Sequence, residues 1–266
     1  MGAATIEAIA ASRAALSTTT GDRFVIGEQL LSVVGVLADS PALRGALADA
    51  AADPDAKAKI VDAVFQDALG DVRTVLRAAS ASRWSSQDDL LTGVEELGIR
   101  AVASSASASV SITDELAAFA KAVSGNAELE YAVGSTLVPG EAKAKVVAKL
   151  LADQASKQTV AILTSLVGQA RGRRIGELVK RASSLVADEA GRLVATVQTA
   201  APLSPVQTER LAASLAKTAG RDVTINEVID PSLIGGVRVA VGDRIIDGTV
   251  ASKLAALRLA LAGQSA

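Results

Sequence analysis

A segment of this sequence recurs 86 residues further along the chain. Residues Ala56–Val61 read Ala-Lys-Ala-Lys-Ile-Val, and residues Ala142–Val147 read Ala-Lys-Ala-Lys-Val-Val. The same offset pairs Ser40 with Asn126, two residue types that cap helices. It also pairs apolar residues over a wide range: Leu30 with Leu116, Val33 with Phe119, Leu37 with Val123, Leu43 with Leu129, Leu47 with Val133, Val64 with Leu150, and Leu76 with Ile162. We interpret the pattern as two copies of one helical module, at about residues 25–105 and 111–191.

The length of the repeat and the composition both favour helical bundles. An offset of 86 residues exceeds the roughly 20–50 residues of common solenoid units, so each copy is predicted to be a small bundle. Half of the residues are hydrophobic but only 2% are aromatic, so the core must come from Ala, Leu, Val and Ile. Because Ala and Leu are strong helix formers, this composition predicts packed helices.

Helix signals punctuate each copy at short intervals. Apolar residues at helical spacing predict a helix over Phe24–Ala38, and Ser40-Pro41 then supplies an N-cap and a first-turn proline. Asp53-Pro54 repeats that signal, and Pro139-Gly140-Glu141 marks the corresponding break in the second copy. The helices predicted after these breaks include Asp55–Ala68, Asp71–Ala81 and Ser156–Ala170.

The period of the pattern changes after Gly191. Arg192–Thr199 and Val223–Ile229 are predicted to be strands, separated by a helix that Ser204-Pro205-Val206-Gln207 opens as a capping box and Gly220 ends. Gly236–Val241 alternates as a third strand, and Gly242-Asp243 forms a two-residue turn into a fourth strand, Arg244–Asp247. Thr249–Leu261 is predicted to be the final helix.

These patterns together predict a mainly α protein with three domains. Two tandem helical bundles occupy residues 1–105 and 106–190, and a small α+β domain occupies residues 191–266.

Charge and residue usage argue against several functions. The formal net charge of −2 lacks the basic excess that nucleic-acid binding requires. No Cys or His is present, so thiolate chemistry, Ser-His-Asp catalysis and the usual zinc sites are excluded. No phosphate-binding loop motif occurs, and Gly235-Gly236 leads into a strand rather than a helix. The longest uncharged stretches, Ala101–Thr113 and Gln158–Ala170, are shorter than the ~20 residues that a membrane span needs.

Two charged clusters could bear on function. Arg171, Arg173 and Arg174 form a basic cluster, which is either a solvated helix end or an anchor for acidic groups of a partner. The acidic pairs Asp88-Asp89 and Glu95-Glu96 are interpreted as solvated surface, because neighbours on a helix do not share a face and make poor acid–base pairs.

The C-terminal region resembles that of a known family. The residues that carry the resemblance are Asp230-Pro231-Ser232-Leu233-Ile234-Gly235-Gly236-Val237-Arg238-Val239, Gly242-Asp243-Arg244-Ile245-Ile246-Asp247-Gly248-Thr249-Val250, Leu254 and Leu257. This run is similar to the signature of delta subunits of bacterial F-type ATP synthases, whose mitochondrial counterpart is the oligomycin-sensitivity-conferring protein. Ala200-Ala201-Pro202-Leu203-Ser204 resembles the segment just upstream of that signature.

The resemblance continues upstream with two departures. Ser12-Arg13-Ala14-Ala15-Leu16 resembles the opening helix of the family but lacks its aromatic residue, and Pro139–Lys145 and Arg171–Arg174 resemble later family segments. The family usually has one helical domain, whereas this chain has two copies.

The resemblance implies which residues matter. It implies partner-binding roles for Arg13, Leu16, Arg83, Arg171, Arg173 and Arg174, and structural roles for Asp230, Pro231, Gly235, Gly236, Gly242, Asp243, Asp247 and Gly248. It assigns no catalytic, cofactor-binding or metal-binding residue.

The resemblance also implies a function. The chain is expected to be a non-catalytic peripheral-stalk subunit at the cytoplasmic face of the cell membrane. Its expected partners are the N-terminal helices of the alpha subunits of the catalytic head and the C-terminal region of the b subunits, with no nucleic acid and no direct membrane insertion. A second helical copy could hold a second alpha helix or brace the b subunits. The alternative is a generic helical adaptor unrelated to ATP synthase, and an enzyme is a more distant one.

Overall fold

The computed structural model describes residues 2–107, 109–135, 137–191, 193–220, 222–241, 244–250 and 252. The chain divides into two compact units, residues 1–186 and 187–266. The first unit is helical, and its elements are α1 (Ala3–Ser17), α2 (Arg23–Asp39), α3 (Pro41–Ala48), α4 (Pro54–Val64), α5 (Gly70–Ala81), α6 (Gln87–Ser104), α7 (Ile112–Ser124), α8 (Ala127–Gly134), α9 (Gly140–Leu151), α10 (Lys157–Gly168) and α11 (Ile175–Glu189), the last of which runs past the division.

Side-chain caps fix where several of these helices begin. The Ser40 hydroxyl accepts a hydrogen bond from the Leu43 backbone N–H at 3.4 Å, and the Asn126 side chain accepts one from the Leu129 N–H at 3.0 Å. The two caps are 86 residues apart and open α3 and α8, the matching helices of the two copies. Each cap satisfies a backbone donor that the first helical turn leaves without a partner. The sequence predicted this cap-for-cap match.

The helices repeat at the same offset as the sequence. Moving the bounds of α3, α4 and α5 by 86 residues gives the bounds of α8, α9 and α10 to within two residues at each end. The same move carries α1 to residues 89–103, which lie inside α6. Helix α6 is therefore both the last helix of the first copy and the equivalent of α1 in the second. The predicted domain boundary at residue 105 follows this shared helix directly.

Two buried apolar clusters form the core of the first unit. One gathers residues of α1 to α6 around Leu30, Val75 and Leu97, and the other gathers residues of α6 to α11 around Leu116 and Leu163. The second cluster also contains Leu31 of α2, so the first copy contributes a side chain to the core of the second. Helices α2 and α6 cross closely at Gly27. A Cβ at this position would lie only 2.7 Å from the Val102 backbone nitrogen.

One predicted helix is shorter in the structure. Sequence periodicity extends α4 to Ala68, but the helix ends at Val64 because Phe65 leaves the helical conformation and is buried in the first cluster. The Gln29 side chain of α2 then accepts a hydrogen bond from the Leu69 N–H at 2.9 Å and supports the turn into α5. Asp53 precedes α4 as predicted, but its side chain makes no capping hydrogen bond.

Besides the end of α11, the described residues of the second unit form a four-stranded sheet and one complete helix. Its elements are β1 (Leu193–Thr199), α12 (Pro205–Ala219), β2 (Val223–Ile229), β3 (Val237–Val241) and β4 (Arg244–Asp247), and the strand order is β2-β1-β3-β4. Strands β1 and β2 are parallel, joined by α12, while β1/β3 and β3/β4 are antiparallel. Ala195, Val197 and Val239 form the centre of its core.

Local signals in this unit behave as predicted. Ser204 and Gln207 form a reciprocal capping box with proline at the first turn of α12, and Gly220 ends that helix with a φ of 68°. The mainly α fold with a small C-terminal α+β domain is confirmed. The predicted turn at Gly242-Asp243 and nearly all of the predicted helix Thr249–Leu261 lie outside the described residues.

Candidate partner-binding surface

The arginine cluster lies at the turn between α10 and α11, and two of its members bind a buried carboxylate. Glu95 of α6 is 4% exposed and accepts hydrogen bonds from Arg171 and from Nη2 of Arg173, the latter at 2.9 Å. Arg171 has a φ of 51°, a left-handed conformation that non-glycine residues rarely adopt. Burial lowers the pKa of Arg171, with Glu95 opposing that shift, but a guanidinium remains charged at neutral pH.

The neighbouring carboxylate, Glu96, has its own arginine partners. Its side chain is 6% exposed, and its Oε1 accepts a hydrogen bond from Arg100 Nε at 2.9 Å, one turn along α6. Its Oε2 lies 3.3 Å from Arg181 Nη2 of α11. Charge-assisted hydrogen bonds of this kind are the arrangement that allows carboxylates to be buried. The interpretation of Glu95-Glu96 as solvated surface was therefore wrong.

The error arose because α6 is covered on several sides. Its buried residues run continuously from Gly93 to Val102, so it has no solvent-facing stripe over that length. Adjacent residues on such a helix point to different neighbours, and Glu95 and Glu96 reach different arginines for that reason. Asp88, by contrast, has an 85% exposed side chain, in agreement with its solvated interpretation.

A concave surface, which we call the arginine-turn surface, lies beside this ion-pair network. It has a volume of about 820 Å³, and its lining includes Arg171, Arg173, Arg174, Lys143 and Glu177. Arg174 is exposed just before α11 begins. Lys143 is 8% exposed, and its Nζ donates to the Ser135 carbonyl oxygen at 3.0 Å. The arginine turn therefore offers positive charge to solvent mainly through Arg174, while Arg171 and Arg173 are held by Glu95.

The other partner-binding candidates lie in the first copy. Arg13 is exposed on α1, whereas Leu16 is 6% exposed and belongs to the first apolar cluster. Arg83 is exposed in the turn before α6, next to the buried Trp84. The Trp84 indole donates to the Ala79 carbonyl oxygen at 2.7 Å, and its ring packs on Gly93 of α6. The structure brings none of Arg13, Leu16 and Arg83 into the arginine turn that holds Arg171.

The described signature residues of the second unit shape its turns. After Pro231 the chain passes through Gly235 and Gly236, whose φ values are 78° and 83°. A Cβ on Gly236 would lie 2.5 Å from the carbonyl oxygen of Gly248, so only glycine fits there. Gly248 in turn donates its N–H to the Val237 carbonyl oxygen at 2.9 Å.

The two described acidic residues of the signature also bind within their own turns. Asp230 Oδ1 accepts hydrogen bonds from the backbone N–H and hydroxyl of Ser232, and these bonds lower its pKa. Bonds from Thr249 and from Arg238 lower the pKa of Asp247 to about 2. Both carboxylates are therefore ionised at neutral pH and stabilise turns. Gly242 and Asp243 lie outside the described residues.

The acidic side chains and the helices also bear on two other kinds of site. Within the described ranges, no group of three or more His, Cys, Asp or Glu side chains is placed to hold a metal ion. No single described helix is long and apolar enough to span a membrane, and the pair α2–α3 meets that test only across a bend of 108°.

Comparison with known proteins decides the family. The sequence model described as ATP synthase delta (OSCP) subunit matches residues 99–261, more than half of the chain. The chain belongs to this family. The match begins within α6, so it covers the second copy and the C-terminal unit, and the first copy precedes it.

Relatives match over the first copy as well. A protein named ATP synthase subunit delta from Leifsonia xyli subsp. xyli is 46% identical over 264 residues, covering 99% of this chain and 100% of that protein. A protein of the same name from Acidothermus cellulolyticus is 40% identical over 245 residues, covering 89% and 88%. Membership of this family makes the chain a structural component of the peripheral stalk of F-type ATP synthase.

A solved structure shows a weaker likeness. One chain of the Toxoplasma gondii mitochondrial ATP synthase hexamer covers 63% of this chain, with 22% sequence identity and a TM-score of 0.43. At that TM-score the likeness adds no argument about the fold.

Proposed function

We propose that this chain links the alpha subunits of the catalytic head to the b subunits of the peripheral stalk, and so holds the head against rotor torque during proton-driven ATP synthesis. The observation that carries the proposal is the full-length similarity to a protein named ATP synthase subunit delta, which extends over 99% of this chain. We infer that the chain lies at the cytoplasmic face of the membrane, attached through its partners.

The two units suit different partners. The helical unit contains short amphipathic helices whose grooves can receive a partner helix, so we assign it the N-terminal helices of the alpha subunits. The C-terminal unit is assigned the C-terminal region of the b subunits. A link that resists torque is best served by several sizeable interfaces rather than by one strong contact.

A non-catalytic role agrees with how the charged groups are used. The buried carboxylates of Glu95 and Glu96 are bonded to arginines of the same chain. Both side chains are also buried, so neither is presented to a substrate as a general acid or base.

The two copies differ in charge, which suggests a division of work. The second copy contains the arginine turn, and Arg174 remains exposed there. We assign this turn to acidic groups of a partner, on either a second alpha helix or a b subunit. Removing the second copy is an unsuitable test, because Leu31 and α6 join its core to the first copy. Single-residue probes are therefore required.

The absence of cysteine makes such probes simple, since one engineered cysteine is the only labelling site on the chain. Arg174→Cys, labelled with a photo-crosslinker and reassembled with membranes depleted of the chain, is expected to crosslink to an alpha or b subunit. Asp153→Cys, at an exposed position outside the lining of the arginine-turn surface, is the control for random adducts.

Co-purification tests the proposed linkage as a whole. A tagged full chain is expected to retain alpha and b subunits from a membrane extract, and membranes depleted of the chain are expected to lose coupled ATP synthesis. Normal assembly and coupling without the chain would contradict the proposal.

A further inference from the structure

A groove separates α2 of the first copy from the α9–α10 pair of the second copy. It has a volume of about 490 Å³, and we call it the inter-copy groove. Its lining includes small residues from all three helices: Ser32, Gly35, Ala144, Ala161, Ser165 and Gly168. Small side chains allow the backbone of a partner helix to approach closely, so the groove suits a helix better than a bulky loop.

The length of the groove also suits a helix. The α2 residues that line it fall at Glu28, Ser32, Gly35 and Asp39, which are successive turns of one helix face. At ~1.5 Å of rise per residue this wall is about 17 Å long, equal to three turns of a docked helix. Val36, which lines the same wall, is 44% exposed and offers apolar surface to an occupant.

The charged side chains known to line the groove are acidic. They are Glu28, Asp39 and Glu141, and no Lys or Arg is among the described residues of the lining. Lys145 bonds to Glu141 and lowers its pKa, so this carboxylate is ionised at neutral pH, with part of its charge offset. A negative groove attracts a basic occupant and repels an acidic one. The arginine-turn surface carries the opposite sign, so the two surfaces select different partners.

The groove exists only because the helical module is present twice. Its two walls come from different copies, and they approach each other at two points along α2. Near the start of α2, Lys157 Nζ of α10 lies 4.3 Å from the centre of the Phe24 ring. Further along, a Cβ on Gly35 would lie 3.2 Å from the Gln169 side chain that follows α10. A chain with one copy would lack one of the two walls.

We propose that the inter-copy groove is the docking site for one amphipathic helix from another subunit of the same complex, with small or aliphatic residues facing α2 and with Lys or Arg along its flanks. The identity of the complex rests on the proposed function. The charge and length of the docked helix rest on the groove itself.

The test places a crosslinker in the groove of the full chain. Ser32→Cys is nearly isosteric and lies on the exposed side of α2. Labelled with benzophenone maleimide and reassembled with depleted membranes, it is expected to give one adduct that maps to a helical segment with an excess of Lys and Arg. Raising the salt concentration from about 0.05 M to 0.5 M is expected to lower the adduct yield, because screening weakens exposed charge pairs.

Charge reversal in the groove tests the role of its acidic residues, and the same reversal outside the groove is the matched control. Glu28→Lys with Asp39→Lys is expected to reduce the adduct yield at least fivefold. Glu7→Lys with Asp153→Lys makes the same change in net charge at exposed positions outside the groove, and is expected to stay within twofold of the parent. Co-purification of each variant with the catalytic head is measured separately.

Three results would overturn the docking site. The first is the absence of any adduct to another subunit although the chain still co-purifies with the head. The second is an adduct to an acidic segment. The third is an equal loss of adduct in both double variants. Each of them leaves the proposed function intact. Failure of the unlabelled chain to co-purify would instead contradict the proposed function.

Discussion

At the scale of single residues, Glu95 is the clearest example of a charge placed by tertiary contacts. It is separated by 76 residues from Arg171 and by 78 from Arg173, yet both arginines bond to it at the edge of the core. A buried carboxylate is stable only when donors replace the water that it loses. Arg171 and Arg173 therefore have a structural role in this chain, in addition to being candidate partner contacts.

Replacing Glu95 with Gln should destabilise the helical unit. The change removes the charge that compensates Arg171 and Arg173, whose side chains are 21% and 28% exposed. Removal of one partner of a fully buried pair costs about 3–5 kcal/mol, and partial exposure of the arginines lowers the expected loss to about 2–3 kcal/mol. Urea unfolding followed by fluorescence measures this loss, because Trp84 is the only tryptophan and packs on α6.

Glu7→Gln is the matched control, since it makes the same chemical change at an exposed position on α1. It should leave the free energy of unfolding within about 0.5 kcal/mol of the parent. Equal midpoints for the two variants would show that the buried pair does not stabilise the unit.

At the scale of elements, α6 organises the helical unit. It occupies the place of a last helix in one copy and of a first helix in the next, and α2 crosses it at Gly27 and Gly98. Glycine at both positions lets the two backbones approach more closely than alanine would. This crossing carries Leu31 of α2 into the second apolar cluster. The two copies are thereby joined by packing as well as by the chain.

Gly27→Ala should weaken this crossing. A Cβ at Gly27 would lie 2.6 Å from the Val102 side chain and 2.7 Å from the Val102 backbone nitrogen, so α2 and α6 must separate. Overpacking of this kind costs about 1–3 kcal/mol, which is offset by about 1 kcal/mol because alanine favours helix over glycine. Gly35→Ala on the same helix meets only the end of the Gln169 side chain at 3.2 Å. Because alanine favours helix by about 1 kcal/mol over glycine, Gly35→Ala should be neutral or stabilising.

Thermal unfolding of both glycine variants, followed by circular dichroism at helical wavelengths, checks the prediction. A lower midpoint for Gly27→Ala than for Gly35→Ala is expected. The reverse order would mean that the helix crossing tolerates a methyl group.

At the scale of the whole molecule, the two helical copies share one folded unit. Residues 1–186 form one compact unit, although it contains two apolar clusters. Leu31 and Val102 belong to the second cluster but lie on helices that also build the first. Contacts of this kind couple the stability of neighbouring modules, as they do in repeat proteins. A peripheral stalk benefits from such coupling, because a load on one copy is shared by the other.

A cavity in the second cluster should therefore lower the stability reported by the first. Leu163 is fully buried in the second cluster, and Leu163→Ala is expected to cost about 2–5 kcal/mol. Trp84 lies in the first cluster. A fall in the urea midpoint measured by Trp84 fluorescence would therefore show that the two copies unfold together. Leu137→Ala removes the same atoms at a position that is 86% exposed and should have little effect. A Trp84 midpoint that is unchanged by Leu163→Ala would indicate independent copies.

The sequence alone determined the local features of this protein. The helix caps at Ser40, Asn126 and Ser204, the turn glycine Gly220, the repeat at 86 residues and the strands of the C-terminal unit were all predictable. The caps and the turn glycine depend on residues within one or two turns of each other, and the strands and the repeated segments are recognised from short contiguous runs. The family resemblance had the same source, since its residues form short contiguous runs.

Tertiary structure alone decided the long-range features. Four features depend on which helices meet: the pairing of Glu95 and Glu96 with arginines, the early end of α4 at Val64, the double role of α6 and the inter-copy groove. The arginine contacts of Glu95 and Glu96 to the α10–α11 region span 76 to 85 residues of sequence. Periodicity shows which residues of a helix share a face but not how many neighbours cover that helix. For α6 the number of covered sides determines whether a charged residue meets water or an arginine.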